Sequence, residues 1–259
     1  MSERDALMAS QIELSGLLTW YEERGEGEPL VLLHGGFATA TAFDRMTPGL
    51  TDAFHLYIPE RRGHGHTPDA DGPITFDLMA DDTIAFLERV VGGPAHLVGH
   101  SDGAILCLLV AIKRPDLVRK MVPISGLFHH DGNTAMDFTL EQMEGWIGDE
   151  YGRISPDGRD HFPIVGAKIL RMWREEPTLT TDDLAPIVVP TLVMAADDDS
   201  TRMEHIVAMY RAIPGAELAI VPGTSHALID EKPDMIDRLI LDFLTRDPVP
   251  TMMPVRRAG

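Results

Sequence analysis

Three short apolar runs along the chain each end in small or polar residues. Leu30-Val31-Leu32-Leu33 meets His34-Gly35-Gly36, His96-Leu97-Val98 meets Gly99-His100-Ser101, and Thr191-Leu192-Val193-Met194 meets Ala195-Ala196-Asp197. Runs without polar alternation suit strands covered on both faces, as in a parallel sheet lying between helices. Residues 55–58, 121–125 and 217–221 read as further strands, and the partly alternating stretch 12–21 reads as an antiparallel opening hairpin. Helical spacing fills the intervals. Residues 76–91 place Leu78, Ala85, Phe86 and Val90 near one face behind Thr75, a candidate N-cap. Residues 203–213 and 233–244 are similar, the latter with proline in its first turn. Residues 102–113 differ, because 104–112 is apolar all round, which predicts a helix buried centrally. The alternation of strand and helix predicts an α/β fold with a mostly parallel central sheet flanked by helices.

Residues 127–186 break this rhythm. They hold Trp146 and Trp173, two of the three tryptophans, with the turn-like Ser155-Pro156-Asp157-Gly158 and no convincing strand. A helical insertion after the sixth strand is expected, leaving 1–126 and 187–245 as the core. The tail 246–259 has prolines at 248, 250 and 254 and is expected to be loose. A chain of 259 residues, 44% hydrophobic and 24% charged, fits one large domain with one insertion. Its longest apolar stretch, 104–112, is too short to span a bilayer. The first ten residues carry acidic groups and no apolar core, so they do not read as a signal peptide, and a cytoplasmic location is the expectation.

Charge narrows the partners. With 22 basic and 41 acidic residues the formal net charge is −19, which argues against nucleic acid and anionic membrane surfaces. The single cysteine, Cys107, excludes an intrachain disulfide and a thiolate metal cluster. Within an apolar run it reads as a buried, inert thiol.

Gly99-His100-Ser101-Asp102-Gly103 is a Gly-x-Ser-x-Gly pattern between a buried strand and the wholly apolar helix. A serine on so tight a turn is lifted above the sheet, and the helix that follows turns its first amides toward the same point. Such amides stabilise a developing oxyanion. The hydroxyl needs a base, and the base needs a carboxylate to orient it. In the order serine, acid, histidine, the carboxylate falls among Asp197-Asp198-Asp199 after a late strand, and the base is His226 after the next one. His34, His64 and His66 lie in glycine-rich turns, where they read as structural. His129-His130-Asp131 lacks a further partner at ligand spacing, so no metal is predicted.

With those segments in that order, the chain resembles the α/β-hydrolase family over nearly its whole length. The match rests on Leu32-Leu33-His34-Gly35-Gly36-Phe37, Arg62-Gly63-His64-Gly65-His66-Thr67, the serine pentapeptide and the two late segments. It resembles the serine-nucleophile, esterase-like branch, similar to valacyclovir-hydrolase-type members. The family pattern Gly-x-x-Asp, with Ala196 in place of glycine, selects Asp199 as the acid; a shifted loop would substitute Asp197 or Asp198. The resemblance implies an oxyanion hole from the amides of Asp102 and Gly36, with Phe37 as the alternative to Gly36. It implies that 127–186 is a helical cap over the site, with Phe37, Trp146 and Trp173 contacting substrate and Phe138, Phe162 and Met172 as further candidates. Asp102 departs from the apolar residue common in relatives; its carboxylate either recognises a cationic group or caps its own helix.

The implied activity is hydrolysis of carboxylic esters through an acyl-enzyme on Ser101, His226 and Asp199, with no cofactor, in a monomer or homodimer. Ser101 stands where dehalogenases and epoxide hydrolases of this fold carry aspartate, and no Gly-x-Gly-x-x-Gly follows the first strand of the parallel set. Lactonases, carbon–carbon bond hydrolases and cofactor-free perhydrolases share the triad and remain alternatives. A non-catalytic ligand-binding protein is the alternative of another class.

Overall fold

Leu30 and Leu32 fall on one face of a central sheet and Val31 and Leu33 on the other, and all four are fully buried. Each face therefore has its own apolar cover, which is why the run shows no polar alternation. A computed structural model describes residues 8–134, 138–247 and 251–254. The strands are β1 (Met8–Leu14), β2 (Leu17–Arg24), β3 (Glu28–Leu33), β4 (Phe54–Pro59), β5 (Ala95–His100), β6 (Val118–Ile124), β7 (Leu192–Asp198) and β8 (Glu217–Ser225). They form one sheet in the order β1-β2-β4-β3-β5-β6-β7-β8. The β1–β2 and β2–β4 pairs are antiparallel and the rest parallel. The predicted opening hairpin turns through Ser15 and Gly16, both at positive φ (52° and 80°), as a two-residue turn requires.

Nine α-helices lie among the described residues: α1 (Thr47–Leu50), α2 (Phe76–Phe86), α3 (Asp102–Lys113), α4 (Leu140–Ile154), α5 (Phe162–Glu175), α6 (Thr181–Leu184), α7 (Met203–Ala212), α8 (Leu228–Glu231) and α9 (Pro233–Thr245). Leu50, Leu228, Ile236, Ile240 and Phe243 bring α1, α8 and α9 onto the Leu30 face. On the Val31 face, α3 is buried along nearly its whole length, between the sheet and α2. The mostly parallel sheet flanked by helices is thus the architecture the hydrophobic pattern predicted.

Local signals set several boundaries. The Thr75 hydroxyl accepts from the Leu78 N–H at 3.1 Å to start α2. The predicted helix 76–91 is α2 continued by a wider π turn over Leu87–Val91, ended by Gly92 at φ 79°. Between β6 and β7 the chain forms α4, α5 and α6. The first two pack on each other, α4 starting from a reciprocal Thr139–Gln142 capping box. The third packs against α7 and α3. Cys107 is fully buried, and burial pushes its thiol well above the ordinary range. Of the expected tail, Met252 and Met253 are almost fully exposed, while 248–250 and 255–259 lie outside the described residues, as do residues 1–7 of the stretch read for a leader. No described helix is long and apolar enough to cross a membrane.

Candidate active site

The chain leaves β5 at His100 and enters α3 at Asp102, so one residue makes the whole turn. That residue is Ser101, at φ 55° and ψ −117°, a conformation costing on the order of 1–3 kcal/mol for a residue with a side chain. The flanking glycines make room for it. A side chain on Gly99 would strike the Gly103 carbonyl, and one on Gly103 would strike the Leu33 carbonyl in β3. The spacing Gly-x-Ser-x-Gly is therefore the spacing at which the strand, the turn and the helix can touch.

Two loops at the same edge of the sheet bring partners to this hydroxyl. His226, after β8, sets its Nε2 2.9 Å from Ser101 Oγ and its Nδ1 2.8 Å from Asp199 Oδ1. A carboxylate only accepts, so Nδ1 carries the proton and Nε2 is left to accept from the serine. Asp199, after β7, is 1% exposed in its side chain. Burial pushes its carboxyl up, but the hydrogen bond and charge of His226, the Ser125 hydroxyl and the Thr201 N–H outweigh burial and hold it at about 2. The Ala196 N–H also donates to it, at 3.2 Å. Asp197 and Asp198 face elsewhere: both are exposed, and Asp197 accepts from the Thr224 N–H.

Opposite this relay stands the loop after β3. A side chain on Gly35 would come within 3.3 Å of Ser101 Cβ, and one on Gly36 would run into Trp173 and the Asp102 carboxylate. The Gly36 loop therefore lies against Asp102, the first residue of α3. Asp102 is buried, and its oxygens accept from Trp173 Nε1 at 3.0 and 3.1 Å. Burial raises its carboxyl against the lowering pull of Arg61, Trp173 and His226. It stands in the first turn of α3, where an acid is favourable, and its carboxylate also ties that turn to α5 through Trp173.

The cleft over Ser101 is narrow, about 30 Å³, and is lined by Asp102, Ser125, Asn133, Trp173, Glu176 and His226 among others. Of the three expected substrate contacts, Trp173 is there. Phe37 meets Trp173 edge-on at 5.4 Å but lines a second cavity of about 210 Å³ with Gly63, Tyr151 and Phe162. Trp146 is not at the cleft: it is 64% exposed and packs edge-on against Phe138, because α4 turns Met143 and Tyr151 inward instead. Composition marked both tryptophans alike; only the helix face separates them.

The histidines weighed for the base role besides His226 sit outside the relay. His34 and His64 are buried, His34 kept well below its usual range and His64 lowered to about 3 by burial with the charge of Arg61 beside them. His66 hydrogen-bonds the buried Glu60 at 3.0 Å. His129, His130 and Asp131 bring one ligand atom each within 4.8 Å of one another, but the histidines are only half-buried and His129 Nδ1 already accepts the Asp131 N–H.

Sequence reasoning passed over several residues that touch the relay. His100 Nε2 donates to the His226 carbonyl at 2.8 Å, and burial lowers its imidazole to about 4, so it stays neutral. Ser200 Oγ lies 3.1 Å from His226 Nδ1. Ser125, at φ 52°, donates to Asp199 Oδ2. Only His100, inside the pentapeptide, carried a local signal.

Comparison with known proteins agrees with this geometry at the level of the fold. Residues 30–238 match the profile of the Alpha/beta hydrolase family. A relative in Acinetobacter baylyi, (E)-2-((N-methylformamido)methylene)succinate hydrolase, is 22% identical over 93% of this chain and 100% of its own. A meta-cleavage product hydrolase from Pseudomonas fluorescens superposes with a TM-score of 0.74 at 19% identity, covering 90% of this chain and 96% of that one. A carboxylesterase from Bacillus subtilis gives 0.71 at 21% identity, covering 93% and 92%.

Proposed function

Because the chain belongs to the alpha/beta hydrolase family, we propose that it is a serine hydrolase cleaving carboxylic esters of small to medium substrates through an acyl-enzyme. Ser101 Oγ attacks the ester carbonyl carbon while His226 Nε2 takes its proton, and Asp199 keeps the imidazole in the tautomer able to do so. The N–H groups of Gly36 and Asp102 receive the negative oxygen as the carbonyl opens. Collapse breaks the bond to the alcohol oxygen, which takes the proton back from His226. Water, deprotonated by the same histidine, then attacks the acyl carbon and releases the acid and Ser101. These steps need no metal or organic cofactor.

The observation that carries this reading is the continuous relay from Ser101 to His226 to Asp199, at 2.9 and 2.8 Å, ending on a serine at positive φ. The test is hydrolysis of a graded series of nitrophenyl esters, amino-acid esters included, by wild type and Ser101→Ala. Wild-type rates are expected to peak at one short acyl length, and the variant to lose at least about 10³-fold. A fluorophosphonate is expected to label Ser101 one to one. Equal rates in the two proteins, or label on another residue, would overturn the reading.

A second reading, attack on an amide carbonyl by the same relay, is favoured by the Acinetobacter relative, whose name specifies an N-methylformamido substrate. Anilides of the best acyl groups separate the two readings. The ester reading expects anilide turnover far below ester turnover, and comparable rates would favour the amide.

A further inference from the structure

Arg61, in the loop just after β4, is a buried cation. It is 5% exposed, and its Nε and Nη1 find no hydrogen-bond partner among the described residues. Its strong contact is from Nη2 to the Gly35 carbonyl oxygen, at 2.6 Å. Burial alone lowers the guanidinium to about 10, against the pull of Asp102, so it keeps its charge at neutral pH. A buried charge of this kind costs stability, and apolar replacements of similar volume are often neutral or stabilising. Packing therefore does not account for the residue.

The Gly35 carbonyl is unusually well supplied with donors. Besides Arg61 it takes the His34 Nδ1–H at 2.8 Å and the Ala38 N–H at 3.3 Å. Because a carbonyl only accepts, His34 holds its proton on Nδ1, which also lies 3.1 Å from Arg61 Nη2, and its Nε2 accepts the Arg61 backbone N–H at 3.4 Å. Arg61 and His34 thus brace each other and the same oxygen. In a trans peptide the carbonyl and the next N–H point in opposite directions. Fixing the Gly35 oxygen toward Arg61 therefore fixes the Gly36 N–H toward the opposite edge of the same peptide, and a side chain added at Gly36 would meet Asp102 and Trp173, which line the cleft over Ser101. A cationic donor on the carbonyl also draws charge from the peptide, and linked hydrogen bonds polarise one another.

We infer that Arg61 is a positioning residue for the oxyanion hole: through the Gly35 carbonyl it orients the Gly36 N–H and strengthens it as a donor. The inference rests on the serine hydrolase reading above. It predicts that Arg61 matters in proportion to the charge that develops on the substrate oxygen, a dependence that a scaffold role lacks.

The test compares an ester with its thionoester, whose sulfur accepts hydrogen bonds poorly, in wild type, Arg61→Met and Arg61→Gln. The ratio of the two kcat values is taken on the same active sites, so the fraction of folded enzyme cancels. Loss of one oxyanion donor typically costs about 10²–10³-fold in kcat. A misdirected donor is expected to lower ester kcat about tenfold or more in Arg61→Met, with KM within about threefold and the ester-to-thionoester ratio falling by a similar factor. Arg61→Gln, which retains an N–H for the carbonyl but no charge, is expected to fall between. A wild-type ratio in Arg61→Gln would overturn the inference even where Arg61→Met does not fold, as would a fall in kcat that leaves the ratio unchanged. Failure of the fluorophosphonate to label Ser101 in wild type would instead overturn the hydrolase reading itself.

Discussion

At the scale of single residues, the site is a set of groups held in states that each would avoid alone. Ser101 sits at positive φ, and Asp199 is an ionised carboxyl with 1% side-chain exposure. Asp199 survives there because four donors, the His226 imidazole, the Ser125 hydroxyl and the N–H groups of Ala196 and Thr201, converge on its two oxygens. Its folded pKa of about 2 lies below the ordinary aspartate value. The stabilisation it contributes is therefore complete above about pH 4 and is lost as pH falls through about 2, an amount on the order of 2–3 kcal/mol. Asp199→Asn is expected to lower kcat by on the order of 10³–10⁴-fold. In urea titrations from pH 5 to pH 2 it is also expected to lose less stability than wild type, by about that amount. Parallel acid profiles for the two proteins would contradict the assignment of the shift to this carboxyl. Ser101, His226 and the acidic triplet were legible because each follows a strand in a fixed order. Ser125, Ser200 and Arg61 were not, because serines and arginines after strands are common, and their partners lie at distant or unpredictable sequence separations.

At the scale of elements, strands buried on two faces were the most legible, and their edges the least. The start of β6 was missed because Arg119 and Lys120 interrupt the apolar run, and both extend away to bond backbone carbonyls of other elements. The insertion was readable as helical, but its orientation was not, since that depends on which face of α4 and α5 meets the core. The structure ties α5 to the turn carrying Ser101 through Trp173 Nε1 and the buried Asp102 carboxylate. Trp173→Phe keeps an aromatic ring there and deletes the N–H, leaving the carboxylate with a donor lost. We expect it to cost about 1–3 kcal/mol in urea unfolding at pH 7. Asp102→Asn combined with Trp173→Phe should cost less than the two single changes together, because the unpaired charge is then gone. Strict additivity in that cycle would mean that the tie contributes nothing. If Asp102 recognises an amine, it competes with Trp173 Nε1 for the carboxylate, and Trp173→Phe would then raise the preference for amino-acid esters.

At the scale of the whole molecule, charge acts before contact. The chain carries a formal net charge of −19, and the described residues lining the cleft include Asp102 and Glu176 but no lysine or arginine. A negative surface slows the approach of anions over a distance set by the Debye length, about 10 Å at 0.1 M salt and about 30 Å at 0.01 M. Carboxylates inside a narrow cleft act at shorter range and are screened much less. The two contributions separate in a matched pair of esters of one alcohol, one neutral and one bearing a free carboxylate on the acyl chain. At low ionic strength kcat/KM should favour the neutral ester. As salt rises to about 0.5 M the preference should shrink through faster capture of the anionic ester, with the neutral ester unchanged. The preference that persists at high salt belongs to the cleft, and within it Glu176→Gln should improve the anionic ester alone. A preference insensitive to salt would place all the discrimination in the cleft and remove the long-range field from the account. A preference for the anion at every salt concentration would contradict both contributions and would require a cation at the site, although no lysine or arginine is among the described residues that line it.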